Sequence, residues 1–187
     1  MATAIQASYN HQVFNSLPYL KDAVARYEEA NNPIEIIGAE LGELFTKHGV
    51  EGTLSLALLH RHFEMAPDER LVEHGDMSVP WQVNDQIEDL PVKAPSGKLV
   101  GRTFKLMDGT VVPVEFGFNP SHGPAPYRPL PDAPEFYREL SAILERDGLS
   151  DIIGLATISG KYEPGYIVTE RTFGGVNVMT HDNYARL

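Results

Sequence analysis

Apolar residues along the chain recur first at helical spacing and then, after Gly52, at strand spacing. Leu17, Leu20, Val24 and Tyr27 fall on one stripe, the pattern of an amphipathic helix. Ser16 suits its N-cap, and Pro18 falls in the first turn, where a missing N–H costs little. Asn31-Asn32-Pro33 closes that segment. A second helix is predicted over Pro33–His48, with Ile34, Ile37, Leu41, Leu44 and Phe45 on one side and Gly49 just past its end. Gly38 and Gly42 weaken helix propensity inside that span and are read as positions of close packing.

From Thr53 to Phe63 the pattern is that of a strand, in which side chains two apart share a face. Leu54, Leu56, Leu58, His60, His62 and Glu64 therefore line up. Ala66-Pro67-Asp68-Glu69 reads as a turn, and Arg70–His74 is predicted to return antiparallel. Gly75–Gly97, with Pro80, Pro91 and Pro95, reads mostly as loop. Leu99–Leu106 and Thr110–Phe118 flank Asp108-Gly109, a strong hairpin signal. Pro113, which cannot donate to a ladder, makes the second of these an edge strand or marks a bulge. Asn119–Pro134 carries six prolines and reads as a lid or a rigid surface crossing.

Asp132 and Glu135 have the spacing of a capping box, ahead of a helix carrying Phe136, Leu140, Ile143 and Leu144. Ile152–Ile158 and Tyr166–Phe173 are predicted strands around a turn at Glu163-Pro164-Gly165, with Asn177–Met179 extending the pairing. The order lacks regular βαβ alternation. It predicts a single α+β domain over residues 1–187, with a curved antiparallel sheet, cone or half-barrel, packed by about three helices. A mainly β barrel is the alternative.

Charge and composition narrow the function classes. The formal net charge is −11 and the pI about 5.0, so the mean field repels phosphate backbones and anionic membrane surfaces. Nucleic acid is not an expected partner. There is no cysteine, which removes thiolate ligands and nucleophiles and leaves His, Asp and Glu for metal binding. No segment approaches the roughly 20 apolar residues of a membrane span, and Met1–Asn15 lacks a signal-peptide pattern. A cytoplasmic location is the expectation. Phosphate loops, dinucleotide turns, nucleophile elbows and H-E-x-x-H helices are all missing from the sequence.

The candidate chemistry is concentrated in His60-Arg61-His62-Phe63-Glu64. Histidines at i and i+2 of a strand lie roughly 6.6 Å apart at Cα, near enough for both rings to converge on one ion. Glu64, or Glu73 or His74 from the next strand, is a candidate to complete the metal set. Such N/O ligands suit Fe, Zn, Ni or Mn. Without a metal, His60 and His62 are candidate catalytic groups, because imidazole titrates near neutral pH. His60 lies deeper along the apolar face, and His62 is read as orienting it. The competing reading is a solvated strand end with Arg61 and Glu64 in a surface network.

Candidate substrate-binding groups are Trp81, His122, Tyr127 and Arg128. Trp81 is a pocket wall or simply core filling, and the other three belong to a loop that can close over a ligand or merely cross the surface. Tyr162 and Glu170, on the late hairpin, are weaker candidates for the same cavity.

The His60, His62 and Glu64 spacing resembles the first metal motif of cupins, whose later glutamate and Pro-x-Gly-x-x-His pattern are not recognisable here. Leu58-Leu59-His60-Arg61-His62-Phe63, with Leu71-Val72-Glu73 and Pro80-Trp81, is similar to small uncharacterised proteins of filamentous fungi. That resemblance spans Gly49–Trp81 and implies no activity. Two functional classes follow: a small-molecule enzyme built on the histidines, metal-dependent or proton-transferring, and a non-catalytic module holding a hydrophobic ligand or a partner chain. The oligomeric state is not legible.

Overall fold

The computed structural model describes residues 6–30, 37–83, 97–120, 127–158 and 166–183. Eight strands form one mixed sheet in the order β1-β6-β4-β5-β2-β3-β8-β7. They are β1 (Leu54–Leu58), β2 (Glu69–His74), β3 (Met77–Gln82), β4 (Gly97–Met107), β5 (Thr110–Pro120), β6 (Ile153–Thr157), β7 (Tyr166–Phe173) and β8 (Val176–Asn183). The helices are α1 (His11–Asn15), α2 (Leu20–Glu29), α3 (Gly42–His48), preceded by a π-helical turn at Ile37–Leu41, and α4 (Pro134–Arg146). The result is the expected α+β class with a curved sheet, curled here into a half-barrel.

Helices α3 and α4 cover one region of the sheet. Phe45, Phe136, Tyr137 and Leu140 pack there against Phe104, Leu155 and their neighbours in a continuous core. Each such side chain, taken from water, stabilises by about 1.5–3 kcal/mol. A second cluster forms where Phe14 and Leu17 meet Leu59, Met65, Leu71 and Val114, so the amino-terminal helix is pinned next to the end of β1.

Two local turn signals hold in the structure. Asp108 and Gly109 both take positive φ, 50° and 73°, the conformation a two-residue hairpin turn needs. Gly49 ends α3 at φ 63°. Other expectations change. Ser16 ends α1 instead of opening a helix, and α2 starts after Tyr19 with no side-chain cap. Helix α4 starts from Ala133 with Pro134 at its first position, without the Asp132 capping box. Nothing lies within 4 Å of a Cβ built on Gly38 or Gly42, so close packing does not explain them.

Strand pairing departs furthest from expectation. β1 pairs with β6, while β2 lies between β3 and β5 and runs parallel to β5. Part of the predicted 75–97 loop is therefore strand β3; residues 84–96, and the Glu163-Pro164-Gly165 turn, lie outside the described residues. β6 pairs with β1 and β4, not with β7. β5 has partners on both sides, and the register shifts in β4 between Gly101 and Phe104. Pro113 faces Phe104 there, so the bulge reading is the one that applies.

Gly154 in β6 gives the fold its most restrictive backbone contact. A Cβ there would sit 2.3 Å from the Phe104 carbonyl oxygen and 2.6 Å from Leu59 Cδ2. Gly154→Ala is expected to cost about 1–3 kcal/mol as overpacking, at roughly 2–4 °C of melting temperature per kcal/mol. Unchanged thermal unfolding of the variant would show that β6 does not press on β4 in this way.

Candidate functional site

β1 ends at Leu58, and beyond it alternate residues are anchored on one side. Leu59 N–H donates to the Ile152 carbonyl at 2.7 Å, and Arg61 N–H to the Pro18 carbonyl at 2.8 Å. The Arg61 guanidinium also donates to Asn15 O and lies 4.4 Å from the centre of the Tyr19 ring. His60 and His62 are left facing the other way. Their rings meet edge to face with centroids 4.7 Å apart.

The residue they meet is Glu170, on β7. Its Oε2 lies 3.0 Å from His60 Nε2 and 3.3 Å from His62 Nε2. Asn177 Nδ2 donates to the same oxygen at 3.4 Å. On the far side of the rings, His60 Nδ1 donates to the Leu58 carbonyl at 2.9 Å, and His62 Nδ1 is 3.1 Å from Thr172 Oγ1. Thr172 is two residues from Glu170 on the same strand, so both face the histidines. Since β1 and β7 stand at opposite ends of the strand order, these contacts draw the two ends of the curled sheet together.

The His60 contacts constrain its charge. A backbone carbonyl only accepts, so Nδ1 carries hydrogen, and Nε2 then faces a carboxylate oxygen. Two lone pairs do not meet at 3.0 Å without a positive charge between them. Either a proton makes His60 an imidazolium, or a metal ion bridges the two. In the metal-free protein, burial pushes the His60 pKa down, but the Glu170 hydrogen bond and the charges of Glu115 and Glu170 outweigh it and hold it above the usual value. His62 is displaced downward by burial and by the adjacent His60, against the pull of Glu170 and Glu115. For Glu170, burial works upward but the two histidines prevail, and its pKa is lowered.

A polar network continues from this cluster across the sheet. Thr103 donates to Glu115 Oε2 at 2.6 Å, and Arg102 lies 3.9 Å from that oxygen while pairing closely with Glu73. Tyr127 donates its phenol hydrogen to Glu73 at 2.9 Å. Asn119 holds the Tyr127 backbone at both its N–H and its carbonyl. The ring packs against Gly117, where a Cβ would fall 2.2 Å from it.

His60, His62 and Glu170 offer three ligand atoms within 4.8 Å of one another and can hold a metal ion. Donors bound at about 2.1 Å lie about 3.0 Å apart at a right angle and about 3.4 Å apart at the tetrahedral angle. The two imidazole-to-carboxylate separations, 3.0 and 3.3 Å, fit that range. Each Nδ1 has an oxygen partner, which turns Nε2 toward the centre as metal-binding imidazoles require.

The remaining sequence candidates for ligands stand elsewhere. Glu64 is exposed beside Arg61, Glu73 is buried against Arg102 and Tyr127, and His74 is an exposed residue at the end of β2. β2 does not return along β1, so it cannot bring Glu73 or His74 to the histidines. Among the substrate-binding candidates, Tyr127 belongs to the Glu73 network, whereas Arg128 donates to the Gly52 carbonyl at the surface. Trp81 packs edge-on to Phe118. His122 and Tyr162 lie outside the described residues. Glu170 carried no distinguishing sequence signal beyond its place on a late strand.

A separate cavity of about 400 Å³ lies between α3 and β1, lined by Leu41, Phe45, Leu54 and Leu56 among others, and includes neither histidine. No helix among the described residues is long and apolar enough to cross a membrane. No family model, curated protein or solved structure matches the chain.

Proposed function

We propose that His60, His62 and Glu170 form a divalent-metal centre in a small-molecule enzyme, with two imidazoles and one carboxylate as the protein ligands. The observation that carries this reading is the convergence of both Nε2 atoms on one carboxylate oxygen, with both Nδ1 atoms turned to oxygen partners. The surrounding charge supports it: the Glu170 carboxylate lies against both rings and the negative charge of Glu115 acts on both histidines, which favours a cation at this point. The ligand set suits Zn, Fe, Ni or Mn and leaves positions open for water or substrate. When bound, such an ion supplies Lewis-acid polarisation of an oxygen, or an activated water or dioxygen. The protein's part is to fix the imidazoles, through Leu58 and Thr172, and to hold Glu170 through Asn177.

A second reading rests on the same His60–Glu170 contact. With a proton in place of the ion, His60 is an imidazolium acid and His62 a neutral base at 4.7 Å between ring centroids, an arrangement suited to proton transfer in an isomerase, dehydratase or cyclase. Elemental mass spectrometry of protein purified without a histidine tag separates the two. The expected result is close to one divalent ion per chain, lost in His60→Ala and His62→Ala. Folded, active-site-intact protein that takes up no metal would leave the proton-transfer reading standing in its place.

A further inference from the structure

Asn177 is 2 % exposed and stands on β8 opposite Thr172 of β7 and Ser78 of β3. Its Nδ2 is turned to Glu170, and that contact settles which end of the amide is which. The carbonyl end, Oδ1, is buried with no hydrogen-bond partner among the described residues. A buried acceptor without a donor is costly, and native proteins keep such groups where a ligand or water completes them. Here it belongs to the amide whose nitrogen contacts the carboxylate on which both imidazoles converge.

The surrounding charges bear on what that donor is. Arg102 is already engaged by Glu73 and Glu115, and the negative charge of Glu115 acts on both histidines. An anionic ligand would therefore add charge next to Glu115 and Glu170 and would leave Asn177 Oδ1 facing another acceptor. A neutral ligand with a hydrogen to give satisfies Oδ1 and avoids that repulsion.

We infer that the centre takes a neutral small molecule bearing an O–H or N–H group, whose hydrogen is accepted by Asn177 Oδ1, and that Asn177 thereby positions the ligand beside Glu170. The inference rests on the metal-centre reading above. Its consequence is selectivity: neutral hydroxyl or amide-type compounds are favoured over carboxylates and phosphates of the same size.

The test uses the tag-free full chain loaded with Co²⁺, whose visible absorption reports ligands entering the metal's shell. Imidazole, 1-methylimidazole and acetate are the probes, since the first two share a metal-binding nitrogen and differ in the N–H. Imidazole is expected to bind about tenfold more tightly than 1-methylimidazole, as for one buried hydrogen bond, and more tightly than acetate. In Asn177→Leu, measured at Co²⁺ raised to saturation so that a weaker hold on Glu170 does not enter the comparison, the ratio is expected to fall to near one. A variant that does not fold is replaced by Asn177→Ala, judged by the same ratio.

Equal binding of the two imidazoles by the wild type would mean that Oδ1 receives only water, and would overturn the inference while leaving the metal centre in place. So would a preference that persists in the variant, which is steric exclusion of the methyl group, or acetate binding as tightly as imidazole. Failure of the wild type to take up Co²⁺ would remove the metal centre and this inference together.

Discussion

Glu73→Ala is expected to lower stability by about 3–5 kcal/mol, the cost of removing one partner from a buried ion pair. Glu73 is 4 % exposed, pairs with Arg102 and accepts from Tyr127 Oη at 2.9 Å. Its loss leaves the Arg102 guanidinium with Glu115 at 3.9 Å as its remaining carboxylate among the described residues, and leaves the phenol without this acceptor. At roughly 2–4 °C per kcal/mol for a chain of this size, the melting temperature falls by about 6–20 °C. Tyr127→Phe removes the phenol hydrogen bond to Glu73 and is expected to cost about 1.5–3 kcal/mol. Replacing both ions at once, Glu73→Leu with Arg102→Met, is expected to recover part of the loss, because the guanidinium is no longer buried without Glu73, while Glu115 gives up its weaker contact at 3.9 Å. Urea unfolding of the set checks all three. Wild-type stability in Glu73→Ala would mean that this network does not order the interior of the sheet.

The same network shows which parts of the molecule were legible in the sequence. Asp108-Gly109, Gly49 and the apolar stripe of α4 were readable because each depends on residues within a few positions of one another. The His60, His62 pair was readable for the same reason: two imidazoles two apart, with Leu59 and Arg61 between and beside them as anchors. Glu170 was legible only as a weaker candidate for the same cavity; its contact with the histidines was not, because it lies 110 residues from His60 and reaches it only when the sheet curls until β7 approaches the end of β1. Hydrophobic alternation states that a segment is a strand but not which strand it pairs with. The turn at Ala66–Glu69 made β2 look like the partner of β1, and Glu73 and His74 looked like ligands only on that pairing. Once β6 takes the place beside β1, those two side chains go to the Arg102 network and to solvent, and the carboxylate comes from the far end of the chain.

Glu170→Ala is expected to reduce metal affinity by well over the roughly 10–100-fold that loss of an outer hydrogen-bond partner costs, and also to erase a pH signature. In the metal-free protein three groups contribute. The lowered Glu170 pKa gives stability that is present above its unfolded value of about 4.5 and is lost as pH falls through the folded one. The raised His60 pKa gives stability that is complete below about 6.5 and is lost as pH rises through its folded value. The lowered His62 pKa means that its neutral form is the one the fold prefers, so its share is lost as pH falls below about 6.5. The two imidazoles titrate as a pair holding one proton. The metal-free cluster therefore stabilises most between the carboxylate range and about pH 6.5, and weakens on the alkaline side as the shared proton leaves. Metal binding runs the other way. It requires His60 to give up its proton, so affinity climbs as pH rises through the same interval, and bound metal at 100 times its dissociation constant adds about 2.7 kcal/mol. Melting temperatures from about pH 5 to about pH 8, with chelator and with excess Zn²⁺, are expected to diverge as pH rises in the wild type and to stay parallel in Glu170→Ala. Parallel curves in the wild type would show that no ion takes the proton's place between His60 and Glu170, and would leave the imidazolium pair as the chemistry of this site.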